Sequence, residues 1–346
     1  MADITNYSIA GEKDSPAWDK YVNQHPARTF SHRWGWSLVL AKSFGIKPYY
    51  IIARQENSIV GVLPLAYMKS LLFGKYLISL PWLDYGGPLA DNEEIALGLS
   101  EYSETIAREN NCRFVEHRAI KNPIPGLLDK RQKFSFVMDL SGSEEDVWKG
   151  IDGKAKNQVR KAEKSNLTVK FGKGEMLDDF YKIFAFNMRD LGTPVWPKSL
   201  YGEQFRHFHD DTEMALVMMG DAPIAGALII HYQDYSAVPS ASSYYKYRNL
   251  CPNNIMYWEI IRHCRNRGSM KFDFGRSTLN AGTYNFKKQW VKNPSELLWQ
   301  YKLLKIDDLP ELNPANPKFK MAINIWRRLP LPIANYLGPK IVTKLP

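Results

Sequence analysis

Two stretches of this chain repeat one pattern of apolar, small and polar positions. "NSIVGVLPLAYM" (57–68) and "APIAGALIIHYQ" (222–233) both read turn, Ile, small, Gly, small, Leu, then apolar alternation. Each follows a strand-like run, "YYIIARQ" before the first and "MALVMMGD" before the second. A period of two on either side of a turn predicts a β-hairpin at each place. Downstream, helical periodicity gives way to another strand in both halves. "IALGLSEYSETIAREN" leads to "CRFVEHRA", and "NNIMYWEIIRHCRNRG" leads to "MKFDFGR". The offset is about 165 residues at the hairpins and about 158 at the later strands, which marks an internal duplication.

Hairpins combined with helix-to-strand units predict an α/β (α+β) protein of two similar domains, each a mixed, mostly antiparallel sheet flanked by helices. The boundaries read as 1–138 and 139–305. The remainder, 306–346, opens with the Pro- and Asn-rich "DDLPELNPANPK" and ends in a basic amphipathic helix expected to pack on the first domain.

Composition agrees with this organisation. A length of 346 residues favours two cores over one, and a content of 45% hydrophobic with 13% aromatic residues argues against extended disorder. No apolar run reaches the roughly 18 residues of a membrane span, and the N-terminus shows no signal-peptide pattern. Cys112, Cys251 and Cys264 form neither a CxxC pair nor a disulfide framework, so a cytoplasmic location is expected.

The net charge of +10 is localised. Between Lys149 and Lys173 eight basic residues stand against Asp152 and Glu163, a balance of +6, and from Glu311 onward six stand against one acid, a balance of +5. The rest is close to neutral. These two places call for an anionic partner: phosphates, nucleic acid or an anionic membrane surface.

Candidate chemistry gathers in the second half. Ser143 with Asp146 forms a capping box, and after Asp152 a helix carries Lys156, Arg160 and Lys164 at i, i+4, i+8. Like charges at that spacing repel, so the row suits phosphate binding, with the Arg160 fork best shaped for it. "LDYGGPLAD" sets Gly86 and Gly87 before Asp91. "PSASSYYKYRNLCPNN" is dense in Ser, Tyr and Asn, including Ser243. It leads into a helix capped by Asn253 or Asn254, carrying Tyr257 in its first turn and stopped by Gly268. "FDFGRSTLNAGTYNFKKQW" (272–290) is a strand that ends at Gly275 and Arg276, with Asp273 opposite Phe272 and Phe274. A loop then leads, through an expected return strand, to Tyr284, Lys287 and Lys288. A lysine among aromatic residues at a strand's carboxyl end can hold positive charge against a developing oxyanion. No Walker loop, GxSxG elbow or complete pyrophosphate loop occurs, and the spacing of the seven histidines, His207 and His209 included, suggests no metal cluster.

The run from "GKAKNQVRKAEKSN" through "CPNNIMYWE" to "FDFGRSTLNAGTYNFKKQW" resembles the FemAB-type acyltransferases, and more narrowly the FemAB-related proteins of exosortase (PEP-CTERM) and exopolysaccharide clusters. The likeness extends over about 25–340. It implies two tandem GNAT-like domains, with acyl transfer in the second. It further implies transfer of an amino acid from aminoacyl-tRNA to an amine of a peptidoglycan precursor, without a covalent enzyme intermediate. By this resemblance Lys287 is the oxyanion-stabilising lysine, Arg160 contacts the precursor's phosphates, and Asp91 lies near the acceptor. Lys288 and Asp273 complete the catalytic set, while Lys156, Lys164, Arg276, Tyr284, Tyr257, Asn254 and Ser243 bind substrate. No tightly bound cofactor and no metal are expected. The helical arm that some peptidoglycan members insert in the second domain is missing, which leaves aminoacyl-tRNA and acyl-CoA both open as donors.

Three functions are compatible with the sequence. The first is acyl or aminoacyl transfer to an amine of a cell-envelope or exopolysaccharide precursor, such as a lipid- or nucleotide-linked sugar. The second is acyl-CoA-dependent N-acylation of a small amine or sugar. The third is a non-catalytic scaffold of an export system. The C-terminal stripe Phe319, Ile323 and Trp326, with Lys318, Lys320, Arg327 and Arg328, leaves peripheral contact with the inner membrane face open as the alternative to packing on the first domain.

Overall fold

A computed structural model describes residues 4–70, 73–118, 122–310 and 317–344, the side chains of 317–320 excepted. In chain order the first elements are β1 (Thr5–Ile9), α1 (Ser15–Gln24), α2 (Gly35–Phe44), β2 (Lys47–Gln55), β3 (Ser58–Ser70), β4 (Gly74–Ser79), β5 (Leu89–Ala90), α3 (Glu93–Glu109) and β6 (Phe114–His117). Then come β7 (Leu128–Asp139), α4 (Glu144–Gly150), α5 (Gly153–Lys164), β8 (Leu167–Gly172), α6 (Leu177–Leu191), α7 (Lys198–His207), β9 (Thr212–Met219), β10 (Ala222–Tyr232) and β11 (Tyr235–Ser243). The last are α8 (Pro252–Asn266), β12 (Lys271–Thr278), α9 (Gly282–Lys288), β13 (Ser295–Leu303), α10 (Pro317–Arg327) and α11 (Leu331–Val342).

The chain forms two compact units: one holds the described residues of 1–131, 297–313 and 340–346, the other those of 132–296 and 314–339. In the first, strands run in the order β1-β2-β3-β4-β6-β13, with β5 beside β3. Only β4 and β6 are parallel among its registered pairs, and α3 connects them. Its core packs Ile51, Leu63, Leu65, Leu77 and Val115 under Ile95, Leu99 and Ile106 of α3. Asn92 caps α3 by accepting from the Ile95 N–H at 2.9 Å.

The second unit runs β7-β12-β11-β10-β9-β8. Here β11 and β12 are the parallel pair, and α8 connects them. The two hairpins read from sequence are β2–β3 and β9–β10, and the helix-to-strand units are α3–β6 and α8–β12. The first unit's last strand in this order, β13, returns from the far end of the second unit's stretch of chain, whereas β7 from Gln132 onward opens that second stretch. The repeated glycine of the hairpins is a packing requirement. A Cβ on Gly226 would stand 2.8 Å from Leu216 Cδ2 and 3.2 Å from the Phe180 ring.

Two expectations change. The segment after the "STLNAG" loop is the helix α9, not a return strand. The last helix was expected on the first domain, yet α10 packs on α6 of the second unit. Gly192, at φ +79°, ends α6 without a side chain, and Ile323 fills the space with its Cγ2 2.5 Å from where a Cβ would be. The Lys318, Phe319 and Lys320 side chains and the linker residues 311–316 lie outside the described residues.

Candidate active site

The register of β11 with β12 is short: Tyr235, Ser236 and Ala237 face Lys271, Phe272 and Asp273, and the pairing ends there. Beyond it β11 follows β10 as far as Ser243, while β12 follows β7. α8 starts in the space served by these diverging strands. Pro252 occupies its first turn, where the missing N–H costs nothing, and its N-cap is Cys251 in the left-handed region at φ +57°. The expected caps Asn253 and Asn254 therefore lie inside the helix, and Tyr257 falls in its second turn. No side chain caps this end. A 15-residue helix thus presents its positive pole without an internal counter-charge.

A pocket of about 170 Å³ opens at that pole, lined by Asn253, Asn254, Ser243, Arg248, Lys154 and Phe286, with Gln158, Gln289, Cys251 and Pro252 completing the wall. An opening of this size has room for a polar end group of a ligand. Local contacts hold the wall. The Asp152 carboxylate caps α5 by accepting from the Lys154 N–H (2.7 Å), and the Asp152 N–H donates to the Gln289 carbonyl (3.0 Å). Asn254 Nδ2 donates to Gln158 Oε1 (3.1 Å), joining α8 to α5. The Arg248 guanidinium lies over the Tyr245 ring, 4.1 Å from its centroid. The side-chain oxygens of Asn253 and Gln289 are buried without a hydrogen-bond partner, a state that costs about 1–3 kcal/mol each and favours a ligand carrying N–H groups.

Behind Phe286 an aromatic group leads to the end of β12. Tyr257 packs on Phe286 (5.5 Å), stacks on Phe274 (5.1 Å) and meets Trp290 (6.3 Å). Its burial drives the phenol pKa well above the ordinary tyrosine value, so it stays protonated. Tyr284 is also core, edge-on to Phe134 and Phe136.

At Asp273 the strand bulges. Asp273 faces Val137 but Arg276 faces Ser135, so three steps on β12 oppose two on β7. Gly275 takes up the extra residue at φ +72°, a conformation that glycine enters without penalty, and its N–H donates to Asp273 Oδ1 at 2.7 Å. The bulge turns two carbonyls to one side. Lys287 Nζ donates to both, Gly275 O and Arg276 O, each at 2.9 Å, and is 9% exposed. Carbonyl dipoles solvate an ammonium, so the bulge seats the lysine head at this point of the fold. Lys288, next on α9, faces solvent.

The structure therefore brings Asn254 and Ser243 into the pocket and gathers Lys287, Asp273 and Arg276 at the bulge. Asp273 acts there as a backbone anchor. The row on α5 does not line the pocket. Lys156 bonds the Lys149 carbonyl (3.0 Å), Arg160 lies over Trp148 (5.7 Å to the centroid), and Lys164 is exposed at the helix end. The pocket uses a different face of α5 instead, with Lys154 and Gln158, an i, i+4 pair that charge spacing alone did not single out. Asp91 belongs to the first unit, where its Oδ1 accepts from the Tyr21 hydroxyl at 2.8 Å.

Comparison with known proteins accords with this geometry. Residues 153–288 match the family described as acetyltransferase (GNAT) domain, a span from the first residue of α5 to the last of α9 that includes every pocket residue except Gln289. No curated protein matches the chain. Among solved structures, the chain is similar to FemX at 15% identity and a TM-score of 0.65, over 87% of this chain and 98% of that one. It is similar to a structure titled as the C-terminal domain of a proposed lysylphosphatidylglycerol synthetase from Agrobacterium fabrum (12%, TM-score 0.57, 84% and 92%). A third is a tandem GNAT protein from the clavulanic acid biosynthesis pathway (9%, TM-score 0.52, 88% and 100%). The tandem GNAT-like fold expected from the sequence is the fold found, and the second unit carries the match to an acetyltransferase domain. GNAT acyltransferases take acyl-CoA as a substrate and need no tightly bound cofactor.

Proposed function

We propose that this protein moves an aminoacyl or acyl group onto an amine of a phosphate-bearing cell-envelope or exopolysaccharide precursor, with the donor seated at the start of α8. The observation that carries this reading is the uncapped, basic pole of α8 on one side of Tyr257 and Phe286, with the buried Lys287 ammonium on the other. Phosphates suit the pole and its flanking Lys154 and Arg248. An ester or thioester carbonyl polarised toward Lys287 would be attacked by the acceptor amine. The C–N bond forms, the C–O or C–S bond breaks, the leaving group departs with the proton that the amine gives up, and the lysine charge offsets the oxyanion between these events. Asp273 is a positioning residue in this scheme, since it holds the bulge whose carbonyls seat Lys287.

The likeness to FemX supports an envelope acceptor, and the likeness to the proposed lysylphosphatidylglycerol synthetase supports aminoacyl transfer. The tandem GNAT likeness favours a second reading, acyl-CoA as donor to a small amine or sugar. A lipid-linked acceptor gains support from the C-terminal helices. Met321, Ile325, Ile333 and Tyr336 are 45–66% exposed on α10 and α11 beside exposed Arg327, Arg328 and Lys340, with no acidic residue after Glu311. Such a surface suits peripheral contact with anionic lipid at the inner membrane face. No helix among the described residues is long and apolar enough to cross a membrane.

Donor binding tests the proposal. Purified protein is titrated with labelled acetyl-CoA and with mixed aminoacyl-tRNA over a range of salt. Tight, steeply salt-dependent binding of charged tRNA selects aminoacyl transfer, and saturable acetyl-CoA binding alone selects the second reading. If neither binds, the donor site at α8 is refuted.

A further inference from the structure

At the opposite end of α8 from the pocket, folding gathers three side chains that the sequence keeps far apart. Glu213 stands second on β9, His231 near the end of β10, and His263 in the last turns of α8. Glu213 is paired with Ile229, so His231 is the next residue along on the same face of the sheet. One carboxylate oxygen, Glu213 Oε2, lies 3.0 Å from His231 Nε2 and 2.8 Å from His263 Nε2. The three donor atoms all fall within 4.8 Å of one another. The expectation of no metal cluster considered spacing along the chain and could not anticipate this convergence.

We propose that Glu213, His231 and His263 bind a zinc-class divalent cation that clamps the C-terminal end of α8 to β9 and β10. Two imidazole nitrogens and one carboxylate oxygen form a donor set suited to borderline cations, whereas calcium and magnesium prefer oxygen alone. Each donor sits on a helix or strand, not on a loop. The side chains are only 10–27% exposed, so the cluster is protected yet reachable. Orienting contacts of the kind that accompany metal ligands are in place. His231 Nδ1 is 2.8 Å from Ser236 Oγ, which lies 2.7 Å from Ser269 Oγ, and the His263 ring stacks on Phe171 at 4.1 Å. Tetrahedral zinc spaces its N and O ligands about 3.4 Å apart, so the rings need retreat by only a few tenths of an ångström. Arg267 Nη1, 4.0 Å from Glu213 Oε2 and 42% exposed, marks the solvent side, where a water would complete the coordination and the arginine would swing outward. His263 lies ten residues beyond Asn253, about 15 Å along the helix, so the cation acts on the frame of the pocket and not on the reaction.

The test uses tag-free, full-length protein stripped with a chelator and dialysed. Zinc is titrated against a competing indicator dye, and melting is followed with zinc, with magnesium and with neither. One equivalent of zinc should bind, with a melting temperature several degrees higher that magnesium does not reproduce. His263→Ala, at the more exposed ligand, should keep the fold and lower affinity at least tenfold; Glu213→Gln should do the same. Absence of stoichiometric binding by the wild type, or binding that both variants retain unchanged, overturns the proposal and leaves the trio as a hydrogen-bonded clamp.

Discussion

Replacement of Lys287 by methionine separates a catalytic charge from a structural one. Methionine keeps most of the unbranched stem and removes the ammonium. The Gly275 and Arg276 carbonyls, each 2.9 Å from Nζ, then lose a charged donor, and such bonds contribute about 1.5–3 kcal/mol apiece. Against this, the variant no longer buries an ammonium, whose desolvation costs several kcal/mol. The two effects oppose each other, so the net loss of stability should stay within about 2 kcal/mol, roughly 4–8 °C of melting temperature for a unit of this size. Turnover should respond far more strongly. Loss of one oxyanion-stabilising donor lowers kcat by about 10²–10³. Donor KM should move little, because the pocket residues Lys154, Asn254 and Phe286 are untouched. The assay is thiol release from acetyl-CoA, or deacylation of aminoacyl-tRNA, with amino-sugar acceptors present and melting recorded on the same sample. A kcat within about threefold of wild type, with melting unchanged, refutes the catalytic role and reduces Lys287 to a lock for the bulge. Lys287→Gln serves as a second variant should the methionine fold poorly.

Acid should weaken the first unit. Burial lowers His32 and His117 to a pKa of about 4, below the ordinary 6.5, so both fold neutral. Between pH 6.5 and 4 the unfolded chain binds protons that the folded chain refuses, and stability falls as pH falls through that window, by about 3 kcal/mol per histidine; melts at stepped pH should show this slope, and a flat profile would contradict it. Gly226→Ala should cost about 1–3 kcal/mol in a chemical melt, because the new methyl meets Leu216 and Phe180, and a neutral result would mean β10 can shift. In the donor titration, Lys154→Ala should reduce the salt slope by about one while Arg160→Ala changes it less, since Arg160 lies over Trp148 outside the pocket; equal effects would return the phosphate site to the α5 row. Ile325→Asp should weaken sedimentation with anionic vesicles if α10 and α11 meet lipid, and unaltered sedimentation would remove that surface from consideration.

Much of the frame was legible along the chain because its causes are local. Alternating apolar positions specify β2–β3 and β9–β10, Ser143 and Asp146 start α4, Asp152 starts α5, and Gly268 at φ +93° follows the end of α8. Small residues repeated at one hairpin position disclosed the duplication, since a helix must approach the strand there. The buried run Phe272–Phe274 and the glycine that ends its regular pairing could likewise be read directly.

The site itself needed the tertiary structure. Charge spacing identified α5 as basic and singled out Lys156, Arg160 and Lys164, whereas Lys154 and Gln158 line the pocket, because the face that lines it is set by where α8 packs on α5. Only the bulge opposite β7, a partner well over a hundred residues away in the chain, decides that Lys287 turns inward and Lys288 outward. The return of β13 to the first unit's sheet has no local signature, nor does the meeting of Glu213, His231 and His263. Periodicity determines which residues of a segment share a face. Which faces then meet depends on register and long-range pairing, and the burial of the whole core determines those.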